Sequence, residues 1–455
     1  MTIKNGVYKM SKLMRSISGI RGIVGDTLPP QVLKSHVRAF LEITKAKRVV
    51  IGRDSRPTGD AIVQFVAGIC RLSGVDVVDV GLSTTPSVEL LTVHFKADAG
   101  IIITASHNPL EWNALKFLNS KGLFLGPDDV KKLFELADAD NFSYPDYRTM
   151  GKYEVAPDAD GIHIDGTLKI PFVDVEAIRA KKFKVAVDAV NGAGSYIVPR
   201  LLEQLGCEVV RVHCEPDGTF PRGAEPIPEN LGDLRDAVKK NGCALGFAVD
   251  PDADRCALVD GLGQSIGEEY TLAIATEEVL SQKKGSVCVN LSTSRMNEDV
   301  ATKYGCGFSR AKVGEINVSL QMIENGCIIG GEGNGGVILP ALHYGRDSLV
   351  AAALVLSWMA HHDGGPEKFV AENPAYAMPK KKFELGDKKV ADILPKVKAE
   401  FAGWKSDERD GLWLGSEKSW VHVRASNTEP VIRVIAEAPT AAEAEELCAK
   451  VEKLI

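Results

Sequence analysis

No apolar run in the 455 residues approaches the roughly 20 that span a bilayer; stretches such as Gly100-Ile-Ile-Ile103 and Val185 to Val190 are far too short. No membrane span and no membrane partner are expected. Positive charge is not in excess either. The 54 Lys and Arg stand against 61 Asp and Glu, a formal net charge of -7. That argues against a nucleic-acid partner held by phosphate neutralisation, and leaves room for a local basic site that takes a small anion. The first 22 residues scatter Tyr8, Met10, Leu13 and Met14 among Lys4, Lys9, Lys12 and Arg15 and build no apolar core of a signal peptide, so a cytoplasmic protein is expected. The nine cysteines are odd in number and contain no Cys-x-x-Cys spacing, and no histidine stands near paired cysteines. They read as buried thiols, not as disulfides or zinc ligands.

What is present is ordinary soluble composition, 45% hydrophobic and 25% charged, with length for about three domains or four smaller ones. One pattern recurs three times: an apolar strand, a helical stretch, a second strand opened by Gly, another helix, and a third strand that runs into a polar loop. The first copy runs through 47–52, 74–81 and 99–106, the second through 184–189, 206–212 and 244–250, the third through 286–291, 305–309 and 327–332. Short Val- and Ile-rich strands alternating with helices indicate α/β units on mixed or mainly parallel sheets. Ligands of such sheets gather at the strands' carboxyl ends. There the copies carry Thr104-Ala-Ser-His-Asn-Pro109, Asp250-Pro-Asp-Ala-Asp-Arg255 and Gly331-Glu-Gly-Asn-Gly-Gly336, three different polar chemistries at equivalent positions. A Gly/Asp/Pro-rich stretch at 156–166 and the turn 261–263 read as linkers. Beyond 373–379 the pattern changes to alternating strands and a closing helix. The expected architecture is three related α/β domains (1–155, 156–261, 262–372) plus a C-terminal α+β domain (373–455), arranged around a central cleft.

Asp250, Asp252 and Asp254 alternate after an apolar strand, so an extended segment would turn their carboxylates to one side. Three hard oxygen donors without sulfur or imidazole suit Mg²⁺ or Mn²⁺, and like charges at this spacing repel unless a cation neutralises them. The glycine and distant Glu of an EF-hand loop are missing. Ser106 sits in a loop that fits either an anion-binding turn or a strand-ending turn with local caps; without a Gly-x-Ser-x-Gly elbow, an acyl-transfer serine is disfavoured. Glu332, among glycines, fits a sugar-binding acid or a tight turn. Arg424-Ala-Ser-Asn-Thr-Glu-Pro430 with Arg433 gathers guanidinium, hydroxyl and amide groups that fit either a site for a dianionic phosphate or an Arg-flanked surface hairpin. Lys116 and Arg21 carry charge without a chemistry of their own, and the loop Gly52 to Gly59 fits either local packing or a lining of the cleft.

These segments, with Ser18-Gly-Ile-Arg-Gly22 and Gly52-Arg-Asp-Ser-Arg56, occur in the order found in the α-D-phosphohexomutase family, which the chain resembles over nearly its whole length. The resemblance implies that Ser106 is a phosphoserine, and that Asp250, Asp252 and Asp254, with the Ser106 phosphate, hold Mg²⁺. It places Arg21, Lys116 and His107 at the transfer step, with Lys116 as general acid/base. It gives Arg255, Glu332, Asn334, Arg424, Ser426, Asn427, Thr428 and Arg433 to substrate binding. The implied partner is a small phosphosugar, the implied intermediate and activator a sugar 1,6-bisphosphate, and the assembly a monomer or homodimer. The sugar loop has Asn334 and Gly336 where Ser and His are usual in the family. Ala311-Lys-Val-Gly-Glu315 has an acid where many glucose and mannose enzymes have His, and in this is similar to the phosphoglucosamine mutases. Interconversion of glucosamine 6-phosphate and 1-phosphate is the expected reaction, mannose or glucose phosphates the alternative. A metal-dependent phosphatase using Asp250, or a non-catalytic phosphosugar sensor, would lie outside the class.

Overall fold

The computed structural model describes residues 13–386, 388–425 and 431–455, which form two compact units. The first runs to Ala159 and adds Asp217–Thr219; the second comprises the remainder.

In the first unit, β1 (Met14–Ser16), β2 (Gly19–Ile23), β3 (Arg48–Arg53), β4 (Asp76–Leu82), β5 (Ala99–Ile103), β6 (Trp112–Asn119) and β7 (Tyr153–Val155) form one sheet in the order β1-β2-β6-β5-β3-β4-β7. β3 runs parallel to β4 and β5, whereas β6 returns antiparallel to β5 with Ile102 opposite Lys116. All five residues of β5 are buried, as expected of a strand covered on both faces.

The second unit contains three sheets. β8 (Lys184–Asp188), β9 (Glu208–Val212), β10 (Leu245–Val249) and β11 (Cys256–Asp260) lie in the order β11-β10-β8-β9. β12 (Val287–Asn290), β13 (Phe308–Ala311), β14 (Ile329–Glu332) and β15 (Gly336–Ile338) lie in the order β13-β12-β14-β15. β16 (Lys380–Glu384), β17 (Lys405–Asp407), β18 (Leu412–Gly415), β19 (Trp420–Ala425) and β20 (Val431–Glu437) form an antiparallel sheet against helices Val390–Glu400 and Ala441–Glu452. A reciprocal cap between Thr440 and Glu443 starts the latter helix, which is the capping-box arrangement.

The three α/β copies therefore share one topology. A first strand is flanked by parallel second and third strands, and a fourth strand returns antiparallel to the third. That fourth strand is not legible in the three-strand repeat read from the sequence. It matters because each polar loop is thereby the turn of a hairpin, pinned at both ends, and not a free strand end. Two local expectations also change. The 156–166 stretch is not a plain linker: helix Ala159–Leu168 occupies most of it, because burial of His163, Ile164 and Thr167 overrides the helix cost of two glycines. β13 lies later than the expected 305–309, since Gly305 has φ +65 and turns the chain before the ladder begins.

Candidate active site

The loop between β5 and β6 holds Ser106, which is 4% exposed and has φ +49, a left-handed conformation that costs a residue bearing a Cβ. Its surroundings enforce it. The Ser106 N–H donates to Thr104 Oγ1 at 3.0 Å, and that hydroxyl donates to Asp54 Oδ2 at 2.6 Å. Arg56, whose guanidinium is fully buried, pairs with Asp54 at 3.1 Å. It donates to the carbonyls of Ser106 (2.8 Å), Asn108 (2.6 Å), Pro109 (2.6 Å) and Trp112 (3.1 Å). One guanidinium thus satisfies four main-chain acceptors of the loop, a use that the fixed fork of Arg suits and an ammonium does not. Arg21, on β2, donates to the Asn108 side chain at 3.0 Å. Lys116, on β6 and 4% exposed, places Nζ 3.4 Å from Thr85 Oγ1 and 5.8 Å from the Phe124 ring centroid. Arg21, Ser106, half-buried His107 and Lys116 are all in this unit, with Arg21 tied directly to the serine loop. The segment Gly52 to Gly59, ambiguous in sequence, is the loop's internal brace.

The same brace recurs in each copy. At the end of the first strand an Asp or Asn accepts the N–H two residues on: Asp54 from Arg56 at 3.0 Å, Asp188 from Val190 at 2.9 Å, Asn290 from Ser292 at 2.7 Å. The rest of that side chain reaches the third-strand loop. Asp54 does so through Thr104. Asp188 does so through Arg222, which bonds it at 2.8 Å and the Val249 carbonyl at 2.7 Å. Asn290 donates to Glu332 Oε1 at 2.7 Å. These Asx turns fix the reactive loops to the frame of the sheet.

The three aspartates of the second copy are completely buried, and each offers a carboxylate oxygen within 4.8 Å of the others. They do not alternate along an extended segment, as expected from the sequence. The chain curls around Asp250, whose Oδ1 accepts the N–H of Asp254 (3.1 Å) and Arg255 (3.2 Å), with Ala253 left-handed at φ +53. Curling achieves the convergence that alternation would have given. Burial first, then repulsion from Asp254 and Asp252, pushes the Asp250 carboxyl well above the ordinary carboxylate range. Asp254 Oδ1 is buried without a hydrogen-bond partner, with Arg255 Nε 3.6 Å away. An all-oxygen, anionic, desolvated donor set of this kind fits a hard divalent cation.

Glu332 ends β14 and is 4% exposed. Its Oε1 accepts from Asn290 and from the Gly314 N–H at 2.8 Å, and its Oε2 pairs with Arg346 at 2.5 Å. Burial alone would raise its carboxyl, but Arg346, the Asn290 amide and the Gly314 N–H hold it below the usual range. Arg346 also reaches Asp254 at 2.5 Å and Glu315 at 3.1 Å. The loop after Glu332 packs on the aspartate loop: the Cys256 N–H donates to the Gly335 carbonyl at 3.0 Å. Gly335 has φ +85, and a Cβ there would lie 2.2 Å from the Cys256 carbonyl oxygen, so only glycine fits.

On the C-terminal sheet Arg424 and Arg433 are direct cross-strand partners. Like charges in that relation repel. Both Nε atoms are buried without a hydrogen-bond partner, although Asp410 lies 3.4 Å from that of Arg424. Two neighbouring arginines, each with a buried Nε donor that no hydrogen bond uses, suit an anion. Ser426, Asn427 and Thr428 lie outside the described residues. Asn334 is in the loop between β14 and β15, and Arg255 pairs with Glu225 at 3.4 Å.

A second group with ligand chemistry, His163, His343 and Asp347, is accounted for by hydrogen bonds. Both Nε2 atoms lie on Asp347 Oδ2, at 2.8 and 2.9 Å. The Gly345 N–H donates to His343 Nδ1 at 3.0 Å, so the His343 proton sits on Nε2, which then has no lone pair for a cation. Asp347 Oδ1 accepts from Leu349 and Val350 and caps helix Ser348–His362.

Asp188, Arg222, Asn290 and Arg346 carry these arrangements and are not singled out by sequence, and Arg56 enters there only as the last residue of the Gly52-Arg-Asp-Ser-Arg56 segment. The one available signal is Asp347 ahead of an unbroken apolar run, a helix start that places Arg346 at the helix entrance. No helix of the described residues is long and apolar enough to cross a membrane.

The family models for phosphoglucomutase/phosphomannomutase match four times in succession: alpha/beta/alpha domain I at 13–143, domain II at 162–263, domain III at 267–376 and the C-terminal domain at 379–454. A phosphoglucomutase/phosphomannomutase of Thermococcus kodakarensis is 37% identical over 447 residues, covering 96% of this chain and 97% of that protein. A protein of Methanopyrus kandleri named "Probable phosphoglucosamine mutase" is 34% identical over 434 residues, covering 94% and 95%. Among solved structures, a phosphoglucomutase/phosphomannomutase family protein of Burkholderia thailandensis superposes with TM-score 0.82 at 28% identity, covering 97% of each chain. The chain belongs to the phosphoglucomutase/phosphomannomutase family of α-D-phosphohexomutases and is an intramolecular phosphotransferase.

Proposed function

We propose that the enzyme interconverts glucosamine 6-phosphate and glucosamine 1-phosphate through phosphorylated Ser106 and a sugar 1,6-bisphosphate. The observation that carries the choice of sugar is the charge balance around Arg346. Two guanidinium groups, Arg255 and Arg346, face the six carboxylates of Asp250, Asp252, Asp254, Glu225, Glu315 and Glu332. A divalent cation still leaves an excess of negative charge, for which the ammonium group of a hexosamine is the matching partner and a neutral hexose hydroxyl is not. Glu315, the acid of the Lys312-Val-Gly-Glu315 loop, belongs to this set. A second reading, mannose or glucose phosphates, is favoured by the name of the Thermococcus kodakarensis relative. Comparison of kcat/KM for the three sugar phosphates tests the choice; a much larger value for mannose or glucose phosphate defeats it.

In this reading Ser106 Oγ gives up its phosphoryl group to a hydroxyl of the monophosphorylated sugar. The O–P bond at the serine breaks as the sugar O–P bond forms, and Lys116 takes the proton of the sugar hydroxyl and returns it to the leaving Ser106 oxygen. The bisphosphorylated sugar turns around, and its other phosphate returns to Ser106 while Lys116 carries the serine proton to the sugar oxygen that is left behind. Asp250, Asp252 and Asp254 would hold Mg²⁺, which supplies neutralisation of charge on the transferring group. Arg424 and Arg433, with Ser426, Asn427 and Thr428, would hold the phosphate that is not being transferred, in either sugar orientation. Arg21 and His107 line the serine loop, and Arg255, Glu332 and Asn334 the sugar side. The positioned groups, not covalent chemistry of the protein beyond Ser106, supply the acceleration.

A further inference from the structure

We propose that Arg346 is a positioning residue that couples divalent-cation binding at the aspartate loop to sugar-phosphate binding at the loop of Glu332. The inference rests on the reading of Asp254 as a metal ligand. Three separate segments each lend this one guanidinium a carboxylate: Asp254 on Nη2 at 2.5 Å, Glu332 on Nη1 at 2.5 Å, Glu315 on Nε at 3.1 Å. The side chain is 11% exposed, so these contacts are made largely out of water, where charge-assisted pairs hold their geometry.

The fold is arranged to put it there. Arg346 bridges to Ile338 at the end of β15, and its stem lies across Gly336, where a Cβ would meet Arg346 Cδ at 2.3 Å. Glycine at 336 is therefore what lets the arginine cross the strand. The neighbouring Asp347 cannot drift, since His163, His343 and the first turn of helix Ser348–His362 all bond to it. Its N–H donates to the Val337 carbonyl at 2.8 Å. With both backbone and stem fixed, the fork sets the distance between Asp254 and Glu332. A cation that draws Asp254 toward itself draws on the same fork that orients Glu332 and Glu315, and a sugar held by those acids acts back on Asp254, as linkage requires.

Calorimetric titration with Mn²⁺ reads this directly and needs no turnover. In a Ser106→Ala background, saturating hexose phosphate is expected to tighten Mn²⁺ binding by roughly 5-fold or more. With Arg346→Lys added, Mn²⁺ alone should still bind, because the charge is kept, but the tightening should disappear, because an ammonium cannot hold three carboxylates in fixed directions. In the Ser106 enzyme, Arg346→Lys should lower kcat/KM mainly through kcat, and its retained Mn²⁺ binding in the absence of sugar shows that the aspartate loop is still folded. Glu315→Gln, which loosens one arm only, should weaken the coupling without abolishing it. Mn²⁺ that binds and is tightened equally by sugar phosphate with and without the Arg346→Lys substitution overturns the inference alone. Absence of any Mn²⁺ binding to the Ser106→Ala protein overturns the metal reading, and this inference with it.

Discussion

The fully buried guanidinium of Arg56 donates to the carbonyl oxygen of Ser106 at 2.8 Å and pairs with Asp54 at 3.1 Å. The proposed phosphoryl carrier is thus held from behind by a cation that never meets solvent. Arg56→Lys keeps the charge and loses the fork, and an ammonium cannot reach all the carbonyls of Ser106, Asn108, Pro109 and Trp112 that the guanidinium holds together. The expected outcome is a lowered Tm for the first unit and a fall in kcat larger than any rise in KM. An unchanged kcat at full folding would show that the brace does not set the Ser106 geometry.

The aspartate loop stores repulsion that a cation relieves. A ligand bound only by the folded state stabilises it by about 2.7 kcal/mol at 100 times its Kd. Mg²⁺ should therefore raise the Tm of wild type. Asp252→Asn should lose most of that gain, with Mn²⁺ affinity lower by roughly tenfold or more as one anionic donor is removed. EDTA should abolish turnover reversibly.

Arg424 and Arg433 face each other across β19 and β20, so each should contribute to phosphate binding without discriminating between sugars. Arg433→Met is expected to raise KM for every phosphosugar turned over by about 10- to 100-fold, the loss of a charge-assisted pair worth roughly 1.5–3 kcal/mol. Relief of mutual repulsion should leave Tm the same or higher. A selective effect on one sugar would contradict this role.

Glu437 accepts from the Arg295 N–H and from Trp420 Nε1 at 3.1 Å, yet burial pushes its carboxyl up to about 7. A carboxyl with a folded pKa above its unfolded one stabilises the fold fully at low pH, and that contribution is lost as pH rises through the folded value. The Tm of the second unit should fall between about pH 5 and 8, and Glu437→Gln should flatten that part of the profile.

The three α/β copies were legible because each first strand is a short apolar run and each third strand ends in an unmistakable polar loop. The fourth strands were not. β15 is three residues long, and β6 mixes Asn113 and Lys116 among apolar positions, so neither carries a period that stands out. The aspartates, the serine and the paired arginines declare themselves by local clustering. Arg56 and Arg346 do not, because their meaning lies in sets of partners that reach as far as 50 and 92 positions away. A lone arginine beside a turn looks the same in sequence whether it is solvated or fully buried. The curl around Asp250 was hidden for a related reason: side-chain to main-chain bonds, not strand alternation, bring those carboxylates together.

The central claim is that Ser106 carries the phosphoryl group between turnovers. Intact-mass measurement and peptide mapping after incubation with a sugar 1,6-bisphosphate test it most directly. The account predicts a gain of about 80 Da on the peptide containing Ser106, its discharge on addition of the monophosphosugar, and loss of both the label and mutase turnover in Ser106→Ala. Turnover that persists in Ser106→Ala, or a phosphate found on another residue, would contradict it.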